Sequence, residues 1–163
     1  SEFAFSVIFA INVVALMAAH FINTRLVVRK GSRVMLSSGL ILAVFTSTGL
    51  VVVTYFNLPL VYTLAMVIPL MGSISMVAVN ADALVLIEFA EQSGTATAVI
   101  GTLRFGIGAL AGPILAMYYD GSAMPFALLM WFSILIVLLS KNSYLGISKL
   151  FGAGPFLTLP EVS

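Results

Sequence analysis

Five long apolar runs, separated by short polar connections, dominate this chain. They cover about residues 3–26, 34–56, 58–87, 95–119 and 123–140. The hydrocarbon core of a bilayer is about 30 Å thick, and a helix needs about 20 apolar residues to cross it. Strands of a membrane barrel need only about 10 residues. The pattern therefore predicts an all-α, polytopic transmembrane helix bundle with five spans over residues 1–141.

The composition limits the chemistry of such a bundle. Only 8% of residues are charged and 61% are hydrophobic, whereas soluble domains carry about 25% charged residues. The chain has no cysteine and one histidine, and it contains no nucleophile–base pair or phosphate-binding loop. The net charge of +1 gives no indication of a nucleic-acid partner. We expect an integral membrane protein in contact with the lipid bilayer, not an enzyme, without metal or cofactor.

The basic residues predict an orientation in the membrane. Alternate connections place six of them on one side: Arg25, Arg29, Lys30, Arg33, Lys141 and Lys149. The opposite side carries only Glu2 and Asp120. Because cytoplasmic connections are enriched in lysine and arginine, we expect the N-terminus outside and the C-terminus inside. With no signal sequence and an odd number of spans, we also expect further helices upstream; a complete five-span subunit is the alternative.

The tail, residues 142–163, is apolar but interrupted by glycine and proline. Tyr144, Ile147, Leu150 and Phe151 recur at helical spacing, which is compatible with a short interfacial helix. A disordered tail is the other interpretation.

Polar residues are distributed unevenly among the spans. Spans one, three and four carry Asn12, His20, Asn80, Asp82 and Arg104, whereas spans two and five carry only apolar residues and small hydroxyl residues. Ionisable groups in transmembrane helices usually face a bundle interior or a watery cavity. We therefore expect spans one, three and four to line a functional face and spans two and five to face lipid.

An ion pair is the simplest explanation for the two intramembrane charges. Arg104 lies about 14 Å along span four and Asp82 about 8 Å from the end of antiparallel span three, so their depths differ by about 6 Å. A long arginine side chain bridges such an offset, which predicts a buried Asp82–Arg104 pair. The pair either couples or gates transport around a polar site, or it is a structural lock between two helices.

Other candidate residues follow from helical geometry. Asn80 and Asp82 lie about 200° apart around one helix, and Asn80 shares its face with Met76. This favours Asn12, Met76, Asn80 and Arg104 for a substrate cavity, although plain packing is the alternative for Met76. For His20 a satisfied interfacial position is favoured over a proton relay.

Span four also carries a motif of small residues. Gly108 and Gly112 are four residues apart, a spacing that lets helix backbones approach closely. Pro113 follows and should kink or loosen the helix. Static packing and a flexing, gating transport helix both remain open.

Four segments resemble one known family. "SEFAFSVIFAIN", "NTRLVVRKGSRVML", "NADALVLIEFAEQSGTATAVIGTLRFGIGALAGP" and "DGSAMPFALLM" together resemble the C-terminal half of Bcr/CflA-type multidrug transporters of the major facilitator superfamily. The similarity runs from about residue 1 to residue 141. Within it, Arg25, Arg29, Lys30, Gly31 and Arg33 look like the second-half copy of the family's cytoplasmic basic loop, and residues 108–113 look like its glycine–proline antiporter motif.

The resemblance implies a function and a missing part. The five spans would be helices eight to twelve of a twelve-helix, proton-coupled antiporter in the bacterial inner membrane, exporting drugs or small metabolites with the proton gradient as energy source. The N-terminal half and helix seven would be absent, so this chain should not transport alone. A five-span assembly subunit, whose polar residues serve helix packing, is the competing hypothesis.

Overall fold

The computed structural model describes residues 2–119 and 121–150, with side chains over residues 6–119 and 121–141. Its elements are five α-helices and one short 3₁₀ turn, Ala90–Gln92. The helices are α1 Glu2–Lys30, α2 Ser32–Tyr55, α3 Leu60–Glu88, α4 Ser93–Met117 and α5 Met124–Leu150. All five are long and apolar enough to cross a membrane. The prediction of an all-α bundle with five potential membrane spans is confirmed.

The basic connection between the first two helices differs from the expected loop. Arg25, Arg29 and Lys30 lie on α1 itself, which ends only at Lys30, and α2 begins at Ser32. Gly31 joins the two helices with a φ of 77°, a backbone conformation that glycine adopts at little cost. Charged residues do not end a helix, so α1 continues past the apolar run until this glycine.

The last helix is also longer than its apolar run. The part of α5 that could span a membrane is Met124–Lys141, close to the predicted 123–140, but the helix continues to Leu150. Residues 142–150 of the predicted tail are therefore a continuation of α5. Residues 151–163 lie outside the described residues.

Helix α2 is the centre of the packed core and α5 packs against it, contrary to the expectation that these two helices face lipid. It contacts α1, α3 and α5. Leu40, Ala43 and Leu50 of α2 pack with Leu70 of α3 and with Ala127 and Ile134 of α5. Its opposite face, with Ile41, Phe45 and Val52, is exposed. One face of α2 thus holds the bundle together, and only the other is free to contact lipid.

Close helix contacts occur at glycines of α2 and α3, not at the predicted glycines of α4. A Cβ built on Gly39 would lie 2.8 Å from Met76 Cε, and one on Gly72 would lie 3.1 Å from Ala19 Cβ. A Cβ on Gly108 or Gly112 would meet nothing within 4 Å. Within the described part of the chain α4 makes no close contact through these glycines, because α4 lies at the edge of the bundle and contains no buried residue. Close packing of these glycines against another part of a longer protein stays a prediction.

Proline does not divide α4. The helix runs without interruption from Ser93 to Met117 and contains Pro113. Proline has no N–H, so the carbonyl of Ala109, one turn earlier, lacks its helical donor. Pro69 produces the same local weakness inside α3.

Candidate functional site

A seam of polar contacts joins α1 to α3. His20 Nε2 lies 2.8 Å from Ser75 Oγ, which bears out the expectation of a satisfied histidine. One turn further along α1, Asn80 Nδ2 donates to Asn23 Oδ1 at 2.8 Å. The contact of Ala19 with Gly72 brings the two backbones together beside these bonds. Small residues and hydrogen-bonding side chains are the usual means of holding helices together in lipid.

The seam places Asn80 differently from its predicted role. Its side chain is only 1% exposed, and the same Nδ2 also donates to the carbonyl of Met76 at 2.8 Å. The amide is therefore engaged between α1 and α3 in this structure. Substrate contact by Asn80 stays a prediction, and it would require these bonds to open.

Asp82 of α3 and Arg104 of α4 form the ion pair that their depths predict. Arg104 Nη2 donates to Asp82 Oδ1 at 2.8 Å and to Oδ2 at 2.9 Å. Within the described residues only Nη2 of this guanidinium is engaged, so Nη1 and Nε remain available as donors. Charge-assisted bonds of this kind are about twice as strong as neutral ones.

The pair is not buried, which corrects the expectation. The side chain of Arg104 is 52% exposed and that of Asp82 is 31% exposed. The cause is the position of α4, which no further helix of the described chain covers. The ion pair therefore lies at an open side of the bundle, where a partner or a solvent-filled cavity could reach it.

Two polar contacts between α2 and α5 were not predicted. Lys141 Nζ donates to Ser37 Oγ at 2.7 Å, and Trp131 Nε1 donates to Thr48 Oγ1 at 3.0 Å. The sequence shows each residue but not that they face each other across two helices that are not consecutive in the chain.

A groove of about 440 Å³ lies between α1, α2 and α3. Met76 lines it, as expected of a cavity residue, whereas Asn12, Asn80 and Arg104 do not. Lys30 lies at one end of the groove.

The predicted substrate residues are therefore not gathered around one cavity. Asn12 is half-buried on α1, eleven residues before Asn23 and so on nearly the same helical face. Met76 faces the groove, Asn80 is in the seam and Arg104 is at α4. Asn23 was not among the predicted site residues, although an amide three residues after His20 in an apolar run indicates the same interhelical face.

The basic residues collect at one end of the bundle. Arg29 and Lys30 form the last turn of α1, and Arg33 is in the first turn of α2. The guanidinium of Arg25 lies 5.2 Å from the centre of the Phe21 ring, a cation–π distance. A positive cluster thus surrounds the turn at Gly31, and its cytoplasmic location stays a prediction.

The fold and its polar contacts define a multi-pass helical membrane protein with an interhelical ion pair. The chain is similar to a bicyclomycin resistance protein homolog of Haemophilus influenzae, with 27% identity over 136 residues. The similarity covers 83% of this chain and 34% of that relative, so the chain spans about a third of the relative's length. No family model matches the chain. No solved structure matches it either.

Proposed function

We propose that this chain is the C-terminal part of a proton-coupled secondary transporter that exports drugs or small metabolites. The observation that carries the proposal is the similarity to a bicyclomycin resistance protein homolog over most of the chain. The five potential membrane spans agree with a transporter segment. The Bcr/CflA group of the major facilitator superfamily is the family we infer.

In this proposal the Asp82–Arg104 pair belongs to the translocation machinery. Arg104 binds Asp82 through Nη2 alone, which leaves two other donor groups for a polar or anionic part of a substrate. A carboxylate held by a cation can be released when a substrate or a proton competes for either partner. Asp82 would thus couple or gate, Arg104 would contact substrate, and the open side of α4 would face the rest of the transporter.

Transport by the longer protein that contains this chain tests the proposal. Reconstituted into proteoliposomes with an imposed proton gradient, that protein should move bicyclomycin, and a protonophore should abolish the movement. Arg104→Gln should slow transport about tenfold, since losing a charge-assisted bond of about 1.5 kcal/mol in the transition state has that effect. Glu91→Gln, which removes an exposed charge from the connection between α3 and α4, is the matched control. Transport that ignores the proton gradient would contradict the coupling.

A second candidate is a five-span assembly subunit with purely structural polar residues. It is favoured by the fact that His20, Asn80, Asp82 and Arg104 all have partners on a neighbouring helix. Accessibility separates the two functions. Cysteines placed at Asn12, Asn80 and Arg104 in the longer protein should react with water-soluble thiol reagents in a transporter, and substrate should protect them. In an assembly subunit all three should stay unreactive.

A further inference from the structure

The groove between α1, α2 and α3 has one charged end. Along α1 it is lined by Ala15, Ala19, Ile22, Leu26 and Lys30. These residues recur at three or four positions, so they form one straight stripe on the helix. At a rise of 1.5 Å per residue the stripe is about 22 Å long. The groove therefore follows α1 from its middle to its basic end.

The wall of the groove offers almost no polar contact except at that end. The hydroxyl of Ser38 donates to the carbonyls of Val34 and Met35, and the hydroxyl of Ser73 donates to the carbonyl of Leu70. Both donors are thus already used within their own helices. Lys30 has no hydrogen bond or ion pair in the described part of the chain. An occupant of matching chemistry has an apolar body and a negatively charged end.

The length of the groove suits an acyl chain. The stripe on α1 is about 22 Å long, and the hydrocarbon of one leaflet is about 15 Å thick. An acyl chain that begins at Lys30 can therefore lie in the groove over the full depth of its leaflet.

We propose that this groove binds an anionic phospholipid, with one acyl chain along α1 and the phosphate at Lys30. Arg29 and Arg33, close to Lys30 in the sequence around the Gly31 turn, reinforce the positive potential at the headgroup. Basic pockets between transmembrane helices bind anionic headgroups in this way. This lipid site is independent of the proposed transport function, because it does not involve the Asp82–Arg104 pair.

Native mass spectrometry of the chain in detergent tests the site with defined lipids. Phosphatidylglycerol should be retained in preference to phosphatidylcholine with the same acyl chains. Lys30→Gln should weaken phosphatidylglycerol binding about fivefold, the effect of one basic residue near an anionic lipid, and leave phosphatidylcholine unchanged. Arg25→Gln is the matched control, because Arg25 is a cation at the same end but outside this groove.

A second pair of variants tests whether the acyl chain lies in the groove. Ala15→Leu narrows the groove and should reduce binding of both lipids, whereas Ala10→Leu, on the exposed opposite side of α1, should not. Equal losses for Lys30→Gln and Arg25→Gln would overturn the proposal in favour of diffuse attraction to the basic end. Displacement of the lipid by soluble glycerol phosphate would show an anion site without an acyl chain. Equal effects of the two leucine substitutions would show that the acyl chain of the lipid does not lie in this groove.

Discussion

Single side chains hold neighbouring helices of this protein together through specific polar pairs. His20 and Ser75, Asn23 and Asn80, and Asp82 and Arg104 each connect two helices. Lipid is as apolar as leucine, so hydrophobic burial contributes little to contacts between membrane helices. Packing and these polar pairs must therefore supply much of the specificity with which the helices associate.

The amide pair offers a direct measure of that contribution. We expect Asn23→Ala and Asn80→Ala each to destabilise the chain, because each removes the bond between α1 and α3 from the other buried amide. The double variant should lose less than the sum, with a coupling of about 0.6 kcal/mol, the average for interhelical hydrogen bonds in a membrane protein, and at most about 1.7 kcal/mol. Reversible unfolding in bicelles measures it. Asn12→Ala is the control, since no partner of Asn12 is present in the described chain; strictly additive losses would contradict the pairing.

The ion pair should show stronger coupling. Arg104 lies at the middle of α4, and an unpaired charge at a helix centre costs about 2.5–3.5 kcal/mol on insertion scales. Because both side chains are partly exposed, that figure is an upper limit for this pair. Arg104→Met or Asp82→Leu should each lower stability, because the remaining charge has no counter-ion. The double variant should regain stability.

Activity then separates the two interpretations of the ion pair. If the pair couples transport, the double variant of the longer protein should be stable and unable to export drug. Recovery of both stability and export would identify a structural lock. Additive stability losses would mean that the two charges do not interact in the membrane, and Arg104 would then face an anionic substrate directly.

Among the helices, α2 and α4 take opposite roles. Helix α2 buries one face against α1, α3 and α5, and its glycines admit side chains of α3. Helix α4 contacts the others mainly at its edge with α3, and Phe105, Ile107 and Leu110 are exposed on it. Helix α2 organises the described bundle, whereas α4 offers an exposed surface to a neighbouring protein segment.

Glycine substitutions should reveal this difference. Gly39→Ala should destabilise the chain by about 1 kcal/mol through overpacking. Met76 Cε, 2.8 Å from the added Cβ, belongs to a flexible side chain, but the Cβ would also lie 3.1 Å from Val77 Cγ2 and 3.3 Å from the backbone carbonyl of Ser73. Gly108→Ala and Gly112→Ala meet open space and should leave the chain as stable as before, or slightly more stable. Unfolding in bicelles measures both; equal losses at Gly39 and Gly108 would refute the assignment of the packed face.

Larger substitutions at the two glycines of α4, Gly108 and Gly112, should have an effect only in a longer transporter. If the open face of α4 packs on another part of that protein, Gly108→Leu or Gly112→Leu should disrupt its assembly or transport while leaving the isolated chain unaffected. Normal assembly and transport by both variants would show that no backbone approaches α4 at this motif.

On the scale of the whole molecule, positive charge is confined to one set of connections and to Arg104 within the membrane. Six of the seven lysine and arginine residues belong to one set of connections. This asymmetry predicts that the end carrying the Gly31 turn is cytoplasmic.

A reporter fusion tests that orientation. A periplasm-active phosphatase joined after Lys149 should be inactive, and one joined within the connection between α2 and α3, at Leu58, should be active. The reverse pattern would overturn the predicted topology, and activity at both positions would show that the chain inserts in mixed orientations.

The number and extent of the helices follow from local properties of the sequence. Apolar length determines whether a segment can cross a bilayer, so the number of spans and their approximate limits could be predicted. The Asp82–Arg104 contact was also accessible, because a constant helical rise converts sequence position into depth and antiparallel neighbours share a depth scale. The ends of α1 and α5 were misplaced because a charged residue ends an apolar run without ending a helix.

Which face of each helix packs against its neighbours could be seen only in the tertiary structure. A helix surrounded by lipid is apolar on every side, so hydrophobic periodicity does not indicate which face is packed and which is exposed. For that reason the central position of α2, the close contact at Gly39 instead of Gly108, and the engagement of Asn80 by Asn23 could not be inferred. The groove that ends at Lys30 could not be inferred either, because it is a gap that α1, α2 and α3 leave between them when they pack.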